Sequence, residues 1–414
     1  LFGEILLEIN LDTKYVKLDP KNPDFYQNPY PYYAEIREKC PIFYWEDFNI
    51  WCFVNHADVD AVLRNRDFGV QIDHLAPREE LGLDQIPENV KVFHNNDSHG
   101  ILGMEPPKHT QIRKLVQKSF MNRQIGGFKT RIEELSHKLI DDIEKQERTN
   151  LLESFATPIP ITIIAELLGV PIEMGSQMLK WSHDMVRMYH LGKTEADEAR
   201  AVKATIEFSD YLRMHVAERR SKPKDDLLTQ LIEIQEEGER LTEEELIANC
   251  ILLLNAGHEA TVNVIGNGIY ALLKNPDQLQ ILREHPELID RAVEEILRYD
   301  TPLHFFKRWV LKDSQIGDIR FPFKTQVAVL LGAANHDPGV FENPEKLDVM
   351  REYNPHLSFG GGIHFCVGAP LARLELQTAI PIILERLPNM QLESEPLFAD
   401  TYHFRGLESL VVRY

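Results

Sequence analysis

The sequence predicts a mainly α protein with a small β-rich region, and three observations carry that prediction. Apolar residues recur with helical period over 109–121, 127–146, 160–169, 200–220, 243–274, 287–299 and 368–386. By contrast, 42–55 is aromatic and β-branched with a polar turn in its middle, the pattern of a hairpin. Apolar residues make up 43% of the 414 and charged residues 27%, the balance of a globular chain with a large buried core rather than a disordered one. Proline and glycine are scattered as punctuation, and no repeat or low-complexity linker divides the chain, so 1–414 reads as one continuous domain although its length exceeds the usual domain size.

The elements follow in order. Residues 1–10 are only partly apolar and carry Glu4 and Glu8, so they read neither as a secretion signal nor as a membrane span, and the protein is expected in the cytoplasm. The sequence opens at Leu1 without methionine, which leaves open what precedes it. In 42–55 the turn falls at 46–49. The helix at 109–121 starts just after Pro106 and Pro107, which suit a first helical turn. The longest helix opens with a capping box, Thr242 and Glu245, and ends at Lys274 before Asn275-Pro276. Its span of about 32 residues is ~48 Å at the standard rise, enough to cross the whole molecule. Asn255, His258, Glu259, Asn263 and Asn267 interrupt it, so it is a central helix of a soluble protein and not a membrane helix. Further short strands are expected within 308–332 and 406–414.

Charge and cysteine usage exclude several function classes. A formal net charge of −20 opposes nucleic-acid binding, which needs a dominant basic field. Cys40, Cys52, Cys250 and Cys366 form no CxxC, no CxxCH and no zinc-type Cys/His spacing, which argues against a disulfide framework, structural zinc and covalent haem attachment.

Four segments carry chemistry. In 358–373, SFGGGIHFCVGAPLAR, a glycine run lets the backbone approach a flat ligand, and Cys366 stands where a helix begins, a position that favours its thiolate. Read alone, a lone cysteine there is more often a buried, inert thiol. Glu295 and Arg298 lie three apart on one helix face, by themselves the spacing of a weak surface pair, and Thr301-Pro302 follows them. His109 and Arg113, at i and i+4, share a face that otherwise reads as a solvated cationic stripe. Leu253, Ala256, Gly257, Ala260 and Val264 form a stripe of mostly small side chains on the long helix. Close helix packing would use the same stripe, but the neighbouring His258 and Glu259 are ionisable groups within an apolar helix.

Together these segments resemble the cytochrome P450 family. Residues 359–368 fill every fixed position of its haem loop, FGxGxHxCxG; Glu295 to Arg298 is similar to its ExxR pair, His109 to Arg113 to its HxxxR element, and 256–261 to its oxygen-activating [AG]Gx[DE]T. The closing 405–410 resembles its last strand pair. The resemblance implies the family's triangular, mainly α fold with haem b between the long helix and the cysteine loop. It implies Cys366 as the iron ligand, Phe359 shielding the sulfur, and Gly360 and Gly368 shaping the loop. His109, Arg113, Arg308 and His364 would meet the haem propionates, with Ala256 and Gly257 against the macrocycle. The third ExxR partner, an arginine in the family, falls on Lys346, a point charge rather than a planar fork. Glu259 fits the acid of the oxygen-activating motif, whereas the threonine position holds Ala260, with Thr261 one residue later.

The implied reaction is oxidation, typically hydroxylation, of a largely apolar small-molecule substrate by dioxygen and two electrons. No flavin, dinucleotide or iron–sulfur fingerprint occurs, so the electrons would come from a ferredoxin and ferredoxin reductase. Lys108, Arg113, Lys114, Lys118 and Arg123 would steer that acidic partner to a monomer. Two rivals stand beside this reading: a peroxide-driven peroxygenase, which would carry Arg-Pro where this chain has Glu259-Ala260, and a haem sensor or electron carrier that turns nothing over. For the substrate pocket, family positions point to Met185, Met188, Leu303, Phe305, Phe306, Tyr402 and Phe404, with His304 and His403 as polar handles.

Overall fold

The computed structural model describes residues 6–121, 124–190, 192–236 and 241–414; Glu4 and Arg123, named above, lie outside them. The long helix spans Glu243–Lys274, and its capping box forms: the Thr242 hydroxyl accepts from the Glu245 amide at 3.2 Å while the Glu245 carboxylate accepts from the Thr242 amide at 2.9 Å. It runs through the largest apolar core, packing on Lys91–His99, Pro158–Leu168, Glu195–Ser221, Ile289–Tyr299 and Ala369–Arg386. Gly257 permits the approach to Pro158–Leu168, since a Cβ there would stand 3.1 Å from Ile164 Cγ1. Among the described residues no helix is long and apolar enough to cross a membrane.

The helices His56–Arg64, Gly175–Val186 and Leu227–Glu236 are additional to those the periodicity predicts. Each has 9 to 12 residues, a length at which local propensity is marginal and tertiary burial of one face decides.

The β-rich region is chiefly one seven-stranded sheet, ordered Glu8–Asn10, Tyr15–Lys17, Ile42–Trp45, Ile50–Phe53, Gln326–Leu330, Phe305–Val310 and Phe68–Gly69. The expected hairpin pairs Ile42 with Phe53 and Trp45 with Ile50, and its turn closes through Asn49 in the left-handed region at φ 53°. Gln326–Leu330 joins Ile50–Phe53 in parallel and Phe305–Val310 antiparallel, setting Arg308 opposite Val327. The C-terminal expectation needs correction. Only Val411–Arg413 forms a strand, and 405–410 continues as a loop with an isolated bridge from Leu407 to Phe398. Its amides reach loop carbonyls instead, Arg405 to Pro302 and Glu408 to Leu397.

Glu295 and Arg298 are fully buried, unlike the surface pair that the bare spacing suggests. The Arg298 fork binds both Glu295 oxygens at 2.8 Å, and its remaining N–H groups reach the carbonyls of Asn335, Pro344 and Lys346. The third ion is Arg351, not Lys346: Arg351 Nε donates to Glu295 at 2.9 Å, whereas Lys346 contributes its backbone carbonyl. Asn354 and the Asp348 amide complete the carboxylate's shell. A planar guanidinium satisfies a buried carboxylate in a way an ammonium on this stretch does not.

Removing one member of such a buried pair strands the other, at a cost of about 3–5 kcal/mol. Arg351→Ala is therefore expected to lower the urea midpoint far more than Lys346→Ala, whose backbone role survives. Equal midpoints for the two variants contradict the assignment.

Candidate functional site

Between the long helix and the cysteine loop lies a mostly apolar cavity of about 220 Å³. Leu253, Ala256, Gly257, Ala260, Thr261 and Val264 line it on the helix side, and Phe359, Gly360, His364, Cys366 and Gly368 on the loop side, with Arg113 and Arg308 also in its wall. The structure thus brings together most of the residues singled out in the sequence.

Local backbone chemistry shapes the loop. Gly360 and Gly362 take φ of 69° and 64°, and a Cβ on Gly362 would come within 2.4 Å of the Leu63 carbonyl oxygen, so only glycine fits there. The Cys366 amide donates to the Phe359 carbonyl at 2.9 Å, closing the loop on itself. Ala369–Arg386 begins three residues on, with a proline in its first turn. Cys366 counts as exposed, but the space it faces is the cavity and not the outer surface. Burial pushes its thiol up, and the Gly368 and Ala369 amides with the Arg113 and Arg373 guanidinia oppose that shift.

The wall near the loop gathers buried imidazole and guanidinium groups around a single carboxylate, Glu105, among the described residues. His109 is buried against His364, ring centroids 4.3 Å apart. Neither ring nitrogen of His109, nor Nε2 of His364, has a hydrogen-bond partner. Burial, with His364 and Arg113 nearby, pulls His109 down to about 4. Arg308 is buried too and, among the described residues, donates only to the Lys307 carbonyl, at 2.8 Å; its guanidinium is pulled down to about 10 by desolvation, which the coulombic attraction of Glu105 offsets in part. Glu105, 3.8 Å from His364, is the local carboxylate that the sequence reading missed.

Glu259 lies outside the cavity lining. Its Oε2 stands 3.3 Å from His183 Nε2 and 3.5 Å from His258 Nε2. Burial alone would raise Glu259, but the hydrogen bond from His183, first among the influences of the neighbouring imidazoles, holds it below its ordinary value. Ala260 faces the cavity without a polar atom, and the Thr261 hydroxyl is turned back onto the Gly257 carbonyl at 3.4 Å. His183 could not be found by motif, since it comes from Gly175–Val186, a helix outside the periodic segments.

Of the pocket residues expected by position, Leu303 and Phe306 line the cavity together with Pro302, Ile101, Leu102, Ile164 and Leu252. Others serve elsewhere. Phe305 and Tyr402 pack with Phe48 against the sheet, His304 Nδ1 meets the Tyr33 hydroxyl at 3.1 Å, and His403 meets Phe306 and Phe404 edge-on. Met185 accepts a weak hydrogen bond from Asn255. The basic cluster is thinner than its sequence suggests. Lys108 pairs with Glu245 at 2.6 Å and Arg113 donates to the Phe365 carbonyl, leaving Lys114 and Lys118 exposed.

Known proteins resemble this chain along most of its length. The family model described as cytochrome P450 matches residues 84–397. The polyketide biosynthesis cytochrome P450 PksS of Bacillus subtilis is 35% identical over 403 residues, 95% of this chain and 97% of that one. Cytochrome P450 107B1 of Saccharopolyspora erythraea is 38% identical over 400 residues, 94% and 96% of the two chains. Among solved structures, P450BioI in complex with an acyl carrier protein ligated to hexadec-9Z-enoic acid superposes with a TM-score of 0.88 at 32% identity, over 94% of this chain and 100% of that one.

The loop is braced from outside by Glu294. Arg373 binds it at 2.6 and 2.7 Å while stacking on the Phe359 ring at 4.6 Å, and His356 reaches it at 3.0 Å. Burial would raise the Glu294 carboxyl, but the hydrogen bonds of Arg373 and His356 hold it at about 2 instead of its ordinary 4.5. A folded-state value below the unfolded one gives stability that is present above the unfolded value and is lost as pH falls through the folded one. The urea-midpoint advantage of wild type over Glu294→Gln should therefore shrink on going from about pH 5 to about pH 3. A difference independent of pH across that window rules this brace out.

Proposed function

The chain belongs to the cytochrome P450 family, and from that premise we propose that it oxidises a largely apolar small organic substrate, with electrons delivered by a ferredoxin and its reductase. Members of the family are haem b monooxygenases. The observation that carries the reading is the convergence, on one mostly apolar cavity, of a cysteine thiol and of buried imidazole and guanidinium groups whose hydrogen-bond shells are incomplete.

The residues fit the cofactor. Cys366 would hold the iron as thiolate, aided by the Gly368 and Ala369 amides. His109, Arg113, Arg308 and His364 would take the propionates, which supply the anions their buried groups lack. Phe359 would shield the sulfur and Gly360 would shape the loop beside it, while Ala256 and Gly257, across the cavity, would leave room for a flat ring. When bound, a thiolate-ligated haem supplies dioxygen activation, and the protein supplies orientation and protons. For the electron donor, Lys114 and Lys118 are the exposed cations on the helix that carries His109 and Arg113, a surface suited to an acidic partner.

Cys366→His should abolish the strongly red-shifted Soret band of the reduced carbonyl-bound protein that a thiolate haem gives. An unchanged spectrum sinks the ligand assignment.

Proton supply enters through Glu259. His183 is 58% exposed, so it can pass solvent protons to the carboxylate it contacts. From there the path must reach the cavity past Ala260, which has no hydroxyl, while the hydroxyl of Thr261 is bonded to Gly257. A hydroxyl or carbonyl of the substrate completes the path in this reading. Ala260→Thr should then raise the product formed per NADH for analogues lacking that group, with little gain for the native substrate. The check is that ratio measured beside Thr261→Ala, and severe uncoupling by Thr261→Ala alone overturns the reading.

A further inference from the structure

We propose that His183, His258 and Glu259 form a binding site for a divalent ion of the zinc class, joining the helix Gly175–Val186 to the long helix outside the cavity. Three atoms converge there, His183 Nε2, His258 Nε2 and a Glu259 oxygen, all within 4.8 Å of one another.

The argument turns on His258. Its Nδ1 lies 3.0 Å from the Leu254 carbonyl oxygen, which can only accept, so Nδ1 carries the ring proton and Nε2 of the neutral ring presents a lone pair. That nitrogen is buried and has no hydrogen-bond donor. What it faces, at 3.5 Å, is Glu259 Oε2, another acceptor. Two acceptors turned toward each other, one of them buried, leave between them a position that suits a cation. A backbone carbonyl holding the far nitrogen of the imidazole is also the usual support of a metal-binding histidine, because it fixes tautomer and ring orientation.

The distances suit a tetrahedral ion. Bonds of ~2.0–2.1 Å put neighbouring ligand atoms about 3.4 Å apart, and the edges to Glu259 Oε2 measure 3.3 Å from His183 and 3.5 Å from His258. The remaining edge, between the two histidines, closes by rotation of His183, an exposed side chain. Two imidazoles and one carboxylate leave a fourth position for water, the donor set of an accessible zinc site. Of the charges around it, Asp184 adds to the attraction, while Arg187 is engaged by Asp197 at 3.2 Å and His190 is held toward its neutral form by burial. Bound there, the ion occupies the carboxylate and imidazole that Glu259 would use to draw protons. That consequence rests on the role given to Glu259 above; the binding itself does not.

The test is equilibrium dialysis of chelator-treated, haem-loaded protein against zinc ions, with zinc absorption-edge spectroscopy of the complex. One tight equivalent is expected in wild type, with nitrogen and oxygen ligands at ~2.0 Å including imidazole. His183→Ala, at a solvent-facing position that folding does not depend on, and His258→Gln should each weaken it at least tenfold. Absence of a tight equivalent, or equal affinity in wild type and His183→Ala, overturns the site. Zinc binding that His183→Ala abolishes, yet without slower turnover of zinc-loaded wild type, upholds the site and counts against the proton role of Glu259 alone.

Discussion

The fold around the cavity depends on one buried carboxylate. Glu295 sits in the core between two guanidinium groups, and every N–H of Arg298 is taken, by Glu295 or by the carbonyls of Asn335, Pro344 and Lys346. Buried charges are tolerated only when their shells are complete, so the chain from 335 to 354 has little freedom once this carboxylate is in place. Asn335 carries the constraint onward: its side chain accepts from the Leu357 amide at 2.8 Å and donates to Ser358 at 2.9 Å, and the Ser358 hydroxyl donates to the Leu297 carbonyl at 2.7 Å. Phe359 is the next residue. The cysteine loop is thereby hung from the same helix that bears Glu295 and Arg298, and a local ion cluster fixes where a thiol some 70 residues later meets the cavity.

Satisfaction is the rule in that cluster and its absence is the rule in the cavity wall. His109, His364 and Arg308 are buried cationic or potentially cationic groups with few or no partners, a costly state for a chain to keep without a ligand. Glu105 alone cannot neutralise them all. Complete shells on one side of the core and incomplete shells on the other divide the buried charges into those held by the scaffold and those facing the cavity with unmet hydrogen bonds.

Legibility in the sequence followed the range of the interactions. The long helix was readable to its ends, because capping box, period and terminating Asn-Pro are local signals, and so was the hairpin turning at Asn49. The cysteine loop was readable because its glycines answer a local demand for positive φ. Arg351 was not: it lies 56 residues from Glu295, and sequence position favoured Lys346, whose side chain the cluster does not use. His183 was hidden for the same reason, since nothing along the chain ties the helix Gly175–Val186 to Glu259. The pocket expectation failed where aromatic residues, Phe305 and Tyr402, were claimed by the sheet's own core, a competition that pattern cannot weigh. At 405–410 strand pairing lost to loop carbonyls.

The long helix faces two environments within one turn, and its geometry separates their chemistry. Successive residues are rotated by about 100°, so Glu259 and Ala260 cannot address the same space. The acid meets two histidines and, through His183, solvent; its neighbour meets the cavity. A group that linked the two would have to stand at 260 and reach both ways, and alanine offers none. Thr261 lines the cavity but its hydroxyl is bonded to its own helix, and the other lining residues of this helix, from Leu252 to Val264, are apolar. An ordered water needs two or more polar partners to hold it, and this wall offers few. On the cavity side, then, this helix presents backbone, apolar side chains and one hydroxyl already bonded within the helix, and its acid is turned away toward the two histidines.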